Sequence, residues 1–277
     1  MRRSIRLALF ASATAASVAV AVPAMATSPT AALASRVGST LHVAKGTTVN
    51  TRTSGNWFGY VQGTLEKKGH PKFTSITGTW AVPTATQHKS GESENSSSWI
   101  GIGGGCVNAN CLVTDSTLIQ TGTEQDVAAN GHASYYAWYE IIPAPSLRTP
   151  LAVHPGDKIA ASIKQTKPEV WSIYLHNLTT GAHWGTVLPY TSSYLTAEWV
   201  DETPLTTGGF AALPNLTPTH FDDATVNGVN ANLIAAEKLF LTGNNGNVIG
   251  APSAPQADHN GFGDCAWAAS CAVPSNF

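Results

Sequence analysis

Apolar and polar residues interchange along this chain in short runs, interrupted at close intervals by Gly, Pro, Asn and Thr. The clearest alternation is Trp171-Ser172-Ile173-Tyr174-Leu175. Successive side chains of an extended strand point to opposite sides, so Trp171, Ile173 and Leu175 share one face. Runs of this kind predict strands over 57–65, 73–82, 97–103, 116–122, 132–142, 157–165, 169–177, 182–188 and 194–201. A helical period fits only 231–241, NANLIAAEKLF, and a strand fits the end of that stretch equally well. Many short strands without an internal repeat point to one all-β domain, an antiparallel sandwich or barrel.

The N-terminus has a different texture. Arg2, Arg3 and Arg6 precede an uncharged apolar run, Leu7 to Val22, and Ala24-Met25-Ala26 offers a small-x-small cleavage site. These features define a secretory signal peptide over residues 1–26 and predict a secreted protein, with a membrane anchor as the alternative. Residues 27–54 are rich in Ala, Ser, Thr and Gly and read as a linker or short pro-segment, which places the folded domain at 55–277. A secreted chain with four cysteines predicts two disulfides. Cys106 and Cys111 are close in sequence, as are Cys265 and Cys271, so local pairing is the preferred arrangement of three. Zinc is disfavoured by the lack of Cys-x-x-Cys spacing and of regularly placed His.

Composition narrows the function classes. Of 277 residues 12% are charged and 43% hydrophobic, with 15 basic against 17 acidic side chains and a net charge of −2. Such a chain is too apolar to be disordered, and it has no basic surplus with which to displace counterions from nucleic acid. Removal of the three N-terminal arginines takes the net charge to −5 while all nine His remain. Sparse charge means little self-repulsion on acidification, so the composition is compatible with work in acid. No membrane contact is expected after signal removal, and the chain reads as a monomer.

Several catalytic motifs are absent: the Gly-x-Ser-x-Gly elbow, His-Glu-x-x-His, the phosphate-binding Gly-x-x-x-x-Gly-Lys and the Asp-Thr/Ser-Gly element. Polar residues on predicted strands remain. Leu118 and Gln120 face one way, Tyr136, Trp138 and Glu140 share a face, and Glu198 lies with Thr196 and Val200. Solvated positions on outer sheet faces are the bland account of such residues. Trp138 near Glu140, and Trp199 next to Glu198, point instead to a face of rings and carboxylates, as in clefts for extended polymers.

At these residues the chain resembles the glutamic peptidases, the eqolisin family. The matching strings are Asn56-Trp57, Ser98-Trp99-Ile100-Gly101-Ile102-Gly103, Ile119-Gln120-Thr121-Gly122, Ala137-Trp138-Tyr139-Glu140, Asn177-Leu178-Thr179-Thr180-Gly181 and Ala197-Glu198-Trp199-Val200, in the family's order over roughly 55–230. The resemblance implies a lectin-like (jelly-roll type) sandwich of two antiparallel sheets with a concave active-site face. It also implies endopeptidase activity in acid, with a polypeptide as the partner, and no metal or organic cofactor. Gln120 and Glu198 match the catalytic pair, and Trp57, Trp99, Trp138 and Glu140 match residues that bind substrate. Two departures stand out: Gly103 and Tyr136 occupy positions where the family often has acids. Peptide hydrolysis requires an activated water, a stabilised oxyanion and a proton for the leaving amine. A Glu serves as base and then acid, and the amide of a Gln donates to the oxyanion and does not titrate. Two other classes compete: a two-carboxylate glycoside hydrolase using Glu198 with Glu140 or Glu202, and a non-catalytic module that holds polysaccharide or protein on its tryptophans.

Overall fold

The structure, a computed structural model, describes residues 53–107 and 114–275. The expected signal peptide, the 27–54 segment except its last two residues, and Cys111 lie outside them. Thirteen principal strands form the body: β1 (Trp57–Gly63), β2 (Ser75–Ala81), β3 (Glu94–Gly103), β4 (Leu118–Val127), β5 (Ala133–Ile141), β6 (Lys158–Lys167), β7 (Val170–Asn177), β8 (His183–Pro189), β9 (Thr196–Glu202), β10 (Thr219–Val226), β11 (Lys238–Thr242), β12 (Val248–Pro252) and β13 (Phe262–Ala266). They follow one hydrogen-bonded path, β8-β7-β6-β2-β10-β13-β12-β11-β1-β9-β3-β4-β5, which folds into two layers. Pairing is antiparallel throughout this path. The result is the expected all-β sandwich.

The alternation in the sequence explains the layering. Trp171, Ile173 and Leu175 are fully buried, whereas Tyr174 between them is 38% exposed. Together with Ile76, Trp80, Ile159 and Ile163 they meet Tyr60, Ile100, Ile102, Ile119, Ala197 and Trp199 from the other layer in one continuous core. Burial of side chains this large contributes roughly 1.5–3 kcal/mol each. The opposite face of the β1-β9-β3-β4-β5 layer carries a second cluster, built on Trp57, Trp99, Leu118, Trp138, Val200 and Leu239. The candidate chemistry sits on that second face.

Two expectations are corrected, and strands appear that the sequence reading did not name. Residues 231–241 form no α-helix: a short 3-10 turn, Ala235–Glu237, leads into β11, whose Leu239 and Leu241 are buried. The sandwich also continues past 201 through β10 to β13. Trp199 does not share a face with Glu198. It points into the inter-sheet core and donates from its indole nitrogen to the Thr77 carbonyl at 2.7 Å.

Among the described residues Thr53–Ser54 pairs parallel to Phe240–Leu241. The Ser54 hydroxyl accepts the amides of Asn56 and Trp57, at 3.2 and 3.1 Å, and so fixes the entry into β1. Cys265 and Cys271 are joined by a disulfide, as local pairing predicts, with Cα atoms 5.4 Å apart. Cys106 is also disulfide-bonded.

Candidate active site

Strand register brings the polar residues together. Across β1, β9, β3, β4 and β5, one row of directly opposed residues reads Val61, Glu198, Gly101, Gln120, Glu140. Opposed residues in a sheet present their side chains on the same face, so the row is also a line of neighbours. Gln120 and Glu198 therefore flank a residue without a side chain. Their Cα atoms are two interstrand spacings apart, about 10 Å. The space above Gly101 is already tight: a Cβ there would lie 2.8 Å from the Trp99 ring, 3.0 Å from a Leu118 methyl and 3.3 Å from the Gln120 Cβ. Only glycine leaves room there for the Trp99 ring and the Leu118 methyl.

Two members of the row, Gln120 and Glu140, hold each other. The Gln120 amide nitrogen donates to Glu140 Oε2 at 3.0 Å, which sets the orientation of the amide. An NH2 group carries two donors, so this bond does not exhaust it. The adjoining row, Val200, Trp99, Gly122, Trp138, supplies indoles on one flank. The next, Trp57, Glu202, Ser97, Glu124, Tyr136, anchors them. Trp99 donates to Glu202 Oε2 at 2.9 Å and Trp138 to Ser97 Oγ at 3.0 Å. Trp57 meets Trp99 edge-on, with ring centroids 4.8 Å apart. Asn56 donates to the other Glu202 oxygen at 3.0 Å. Tyr136, where an acid was the alternative, lies under the Arg148 guanidinium, 3.6 Å from its ring centroid.

The site is enclosed in this chain. Gln120 and Glu198 have no exposed surface and Glu140 has 1%. The account of them as solvated outer-face residues is therefore corrected. Burial pushes the Glu198 carboxyl well above the usual carboxylate range, and the charge of Asp115 pushes it the same way, while the Thr196 hydroxyl and the Gly105 amide partly oppose this. Glu124 is raised as well, first by burial and then by Asp126, Glu202 and Glu140.

Two residues of this arrangement had a signal in the sequence. Thr196 alternates with Glu198, and Glu202 lies four positions beyond it on the same face. Ser97 and Asp115 had none, because their importance rests on cross-strand and loop contacts. The glycosidase pairings find no support in the register. Glu140 and Glu198 stand three strand spacings apart, about 14 Å along the sheet, with Gln120 and Gly101 between them. Glu202 is engaged with Trp99 and Asn56.

Comparison with known proteins identifies the family and the fold. The model of the Peptidase A4 family matches residues 55–258. Among solved structures, scytalido-glutamic peptidase with a transition-state analogue inhibitor is 21% identical, with a TM-score of 0.56 over 76% of this chain and 98% of that one. SCP-B, described as a member of the eqolisin family in a complex with the tripeptide Ala-Ile-His, is 20% identical, with a TM-score of 0.52 over 77% and 98% of the two chains. Aspergilloglutamic peptidase from Aspergillus niger is 20% identical, with a TM-score of 0.51 over 62% and 99%. These similarities are similarities of fold. No curated protein matches the chain. With a family model spanning most of the sandwich, the chain belongs to the Peptidase A4 family and is a glutamic-type endopeptidase.

Proposed function

We propose that Gln120 and Glu198 form the hydrolytic dyad of a secreted endopeptidase that works in acid. The observation that carries this reading is the register that sets the two side chains on one face, on either side of Gly101. Ionised Glu198 takes a proton from a water as that water attacks the scissile carbonyl. Its carboxylic acid then protonates the departing amine, which closes the proton cycle. The Gln120 amide donates to the oxyanion of the tetrahedral intermediate, and Glu140 keeps that amide turned. An amide keeps its donors at any pH, so this half of the dyad is indifferent to acid. Trp57, Trp99, Trp138 and Glu140 bound the substrate site.

Glu198 acts as a base only once ionised, so the acid limb of activity is expected to follow its titration.

Replacement of Gln120 by Ala tests the dyad. It removes one oxyanion donor, and kcat on an acid-denatured protein is expected to fall about 10²–10³-fold. A loss under tenfold in a folded variant would reject the assignment. Gly101→Ala is a second probe, since its methyl enters the gap against Trp99, Leu118 and Gln120. It is expected to lower kcat/KM at least about tenfold with the sheet intact by circular dichroism, as an overpacked site costs roughly 1–3 kcal/mol.

The domain reading completes the proposal: residues 1–26 direct export, and the segment from 27 restrains the peptidase before release. N-terminal sequencing of fully active enzyme tests this, and retention of the whole segment would dismiss it.

A further inference from the structure

Gly103 occupies a place where an acid was the alternative, and the structure shows what stands there instead. Its φ is +99°, and a Cβ would lie 2.0 Å from the Thr117 carbonyl oxygen, so no side chain fits. The segment that closes over it carries Asp115, a 6% exposed carboxylate that belongs to none of the matching strings. Asp115 Oδ1 accepts the Thr117 amide and the Thr117 hydroxyl, each at 2.9 Å. Its Oδ2 accepts the Ser193 hydroxyl.

Two hydrogen-bonded routes run from Asp115 to β9, the strand of Glu198. One passes through Ser193, whose amide donates to Thr117 Oγ1 at 3.0 Å just before the strand begins. In the other, the Asp115 amide donates to the Gly105 carbonyl at 2.9 Å, and the Gly105 amide donates to Thr196 Oγ1 at 3.1 Å. Gly105 sits so close to the base that a Cβ on it would be 2.7 Å from Glu198 Oε1. We propose that Asp115 is a positioning residue for the general base, fixing Gly105 and Thr196 where they pack beside Glu198. The inference rests on the dyad reading and adds a member to it. Asp115 disfavours ionisation of Glu198, whereas Thr196 and the Gly105 amide favour it. Among the described residues Tyr190 also senses the Asp115 charge, and its hydroxyl accepts the Leu118 amide at 2.7 Å.

The opposing signs give a test that a merely structural role does not pass. Asp115→Asn keeps an acceptor for Thr117 and removes the charge, so the acid limb of kcat/KM is expected to move down by about half a pH unit or more, with the plateau within a few-fold of the parent. Thr196→Val leaves Asp115 in place and removes a hydroxyl that favours ionised Glu198, so its limb is expected to move up. Asp115→Ala loses the tether as well, and kcat is expected to fall tenfold or more at unchanged KM. Limbs that coincide with the parent's in both Asp115→Asn and Thr196→Val would overturn the inference, as would an Asp115→Ala enzyme that loses thermal stability alone. Glu198→Gln, run in parallel, separates the two readings. If it keeps parental turnover, the dyad itself is wrong. If it is inactive, the limb shifts test Asp115 alone.

Discussion

Glu198→Gln is expected to lower kcat by about 10⁴-fold while leaving the fold intact. The carboxyl is asked for two proton transfers, one from water and one to the leaving amine, and general acid–base catalysis contributes typically 10²–10⁴. Glutamine keeps the volume and hydrogen-bonding capacity of the side chain but accepts no proton in this range, so both transfers are lost together. Ground-state binding should change little, and the loss should appear in kcat at nearly constant KM. Stability should hold or rise, because an amide at a fully buried position carries no ionisation penalty. Two controls sharpen the result. Glu140→Gln removes the acceptor charge that orients the Gln120 amide and leaves the dyad in place, so its loss should be at least tenfold smaller. Glu202→Gln, two rows away and bound to Trp99 and Asn56, should act mainly on substrate binding. Turnover of Glu198→Gln within tenfold of the parent, on a denatured protein substrate in acid, rejects the mechanism.

The strands were legible where an apolar face alternates with a polar one, and β7 is the clearest instance. Legibility failed where buried strands are polar. β3 begins at Glu94, ahead of the expected 97, and β4 runs to Val127, past the expected 122. Their extensions, Glu94-Asn95-Ser96 and Thr123-Glu124-Gln125-Asp126, are nonetheless largely buried, because they pair with each other in mid-sheet and satisfy one another's side chains. Asn95 bonds Asp126, and the Gln125 amide donates to the Thr123 hydroxyl at 3.0 Å. No pattern of hydrophobicity reports that exchange. β10 was hidden for a related reason. Its sequence, Thr219-His220-Phe221-Asp222-Asp223-Ala224-Thr225-Val226, is polar, and its pairing with β2 is irregular between Asp222 and Thr225, with Asp223 at φ +52°. The site shows the same division. Gln120 and Glu198 were visible in short strings. The row that aligns them across Gly101, and the loop that brings Asp115 to Gly105, depend on register between segments about a hundred residues apart or on a turn, and neither is a local property.

The fold is expected to be most stable in acid and to lose stability steadily as the pH rises toward neutral. Four described carboxyl groups, Glu124, Glu198, Asp201 and Asp264, are at most 1% exposed, and burial is the leading cause of a raised pKa in each. Asp201 on β9 and Asp264 on β13 form a pair inside the sandwich, which the Asp201 charge adds to at Asp264. The hydroxyls of Ser98 and Thr219 offset part of the shift at Asp201, which is pushed up to about 7. The sign follows from proton counting. Below about pH 4 these groups are protonated in both the folded and the unfolded chain, and no penalty arises. As the pH rises, the unfolded chain releases their protons near the ordinary value while the folded chain retains them, so unfolding gains proton release and stability falls. Each retained proton costs about 1.4 kcal/mol per pH unit across its window, which for Asp201 runs from about 4 to about 7. His220, whose pKa is lowered chiefly by burial, works the other way, but it is one group against four. A domain held by roughly 5–15 kcal/mol feels several such windows together. Urea unfolding followed by circular dichroism from pH 3 to 8 should give a midpoint that declines through this range. Asp201→Asn and Asp264→Asn should each flatten the decline and raise the midpoint at pH 7, leaving the value at pH 3 nearly unchanged. A midpoint that rises from pH 4 to 7 would show that these carboxyls ionise in the folded chain at ordinary pH, and that the interior beneath β9 is held by charge rather than by its suppression.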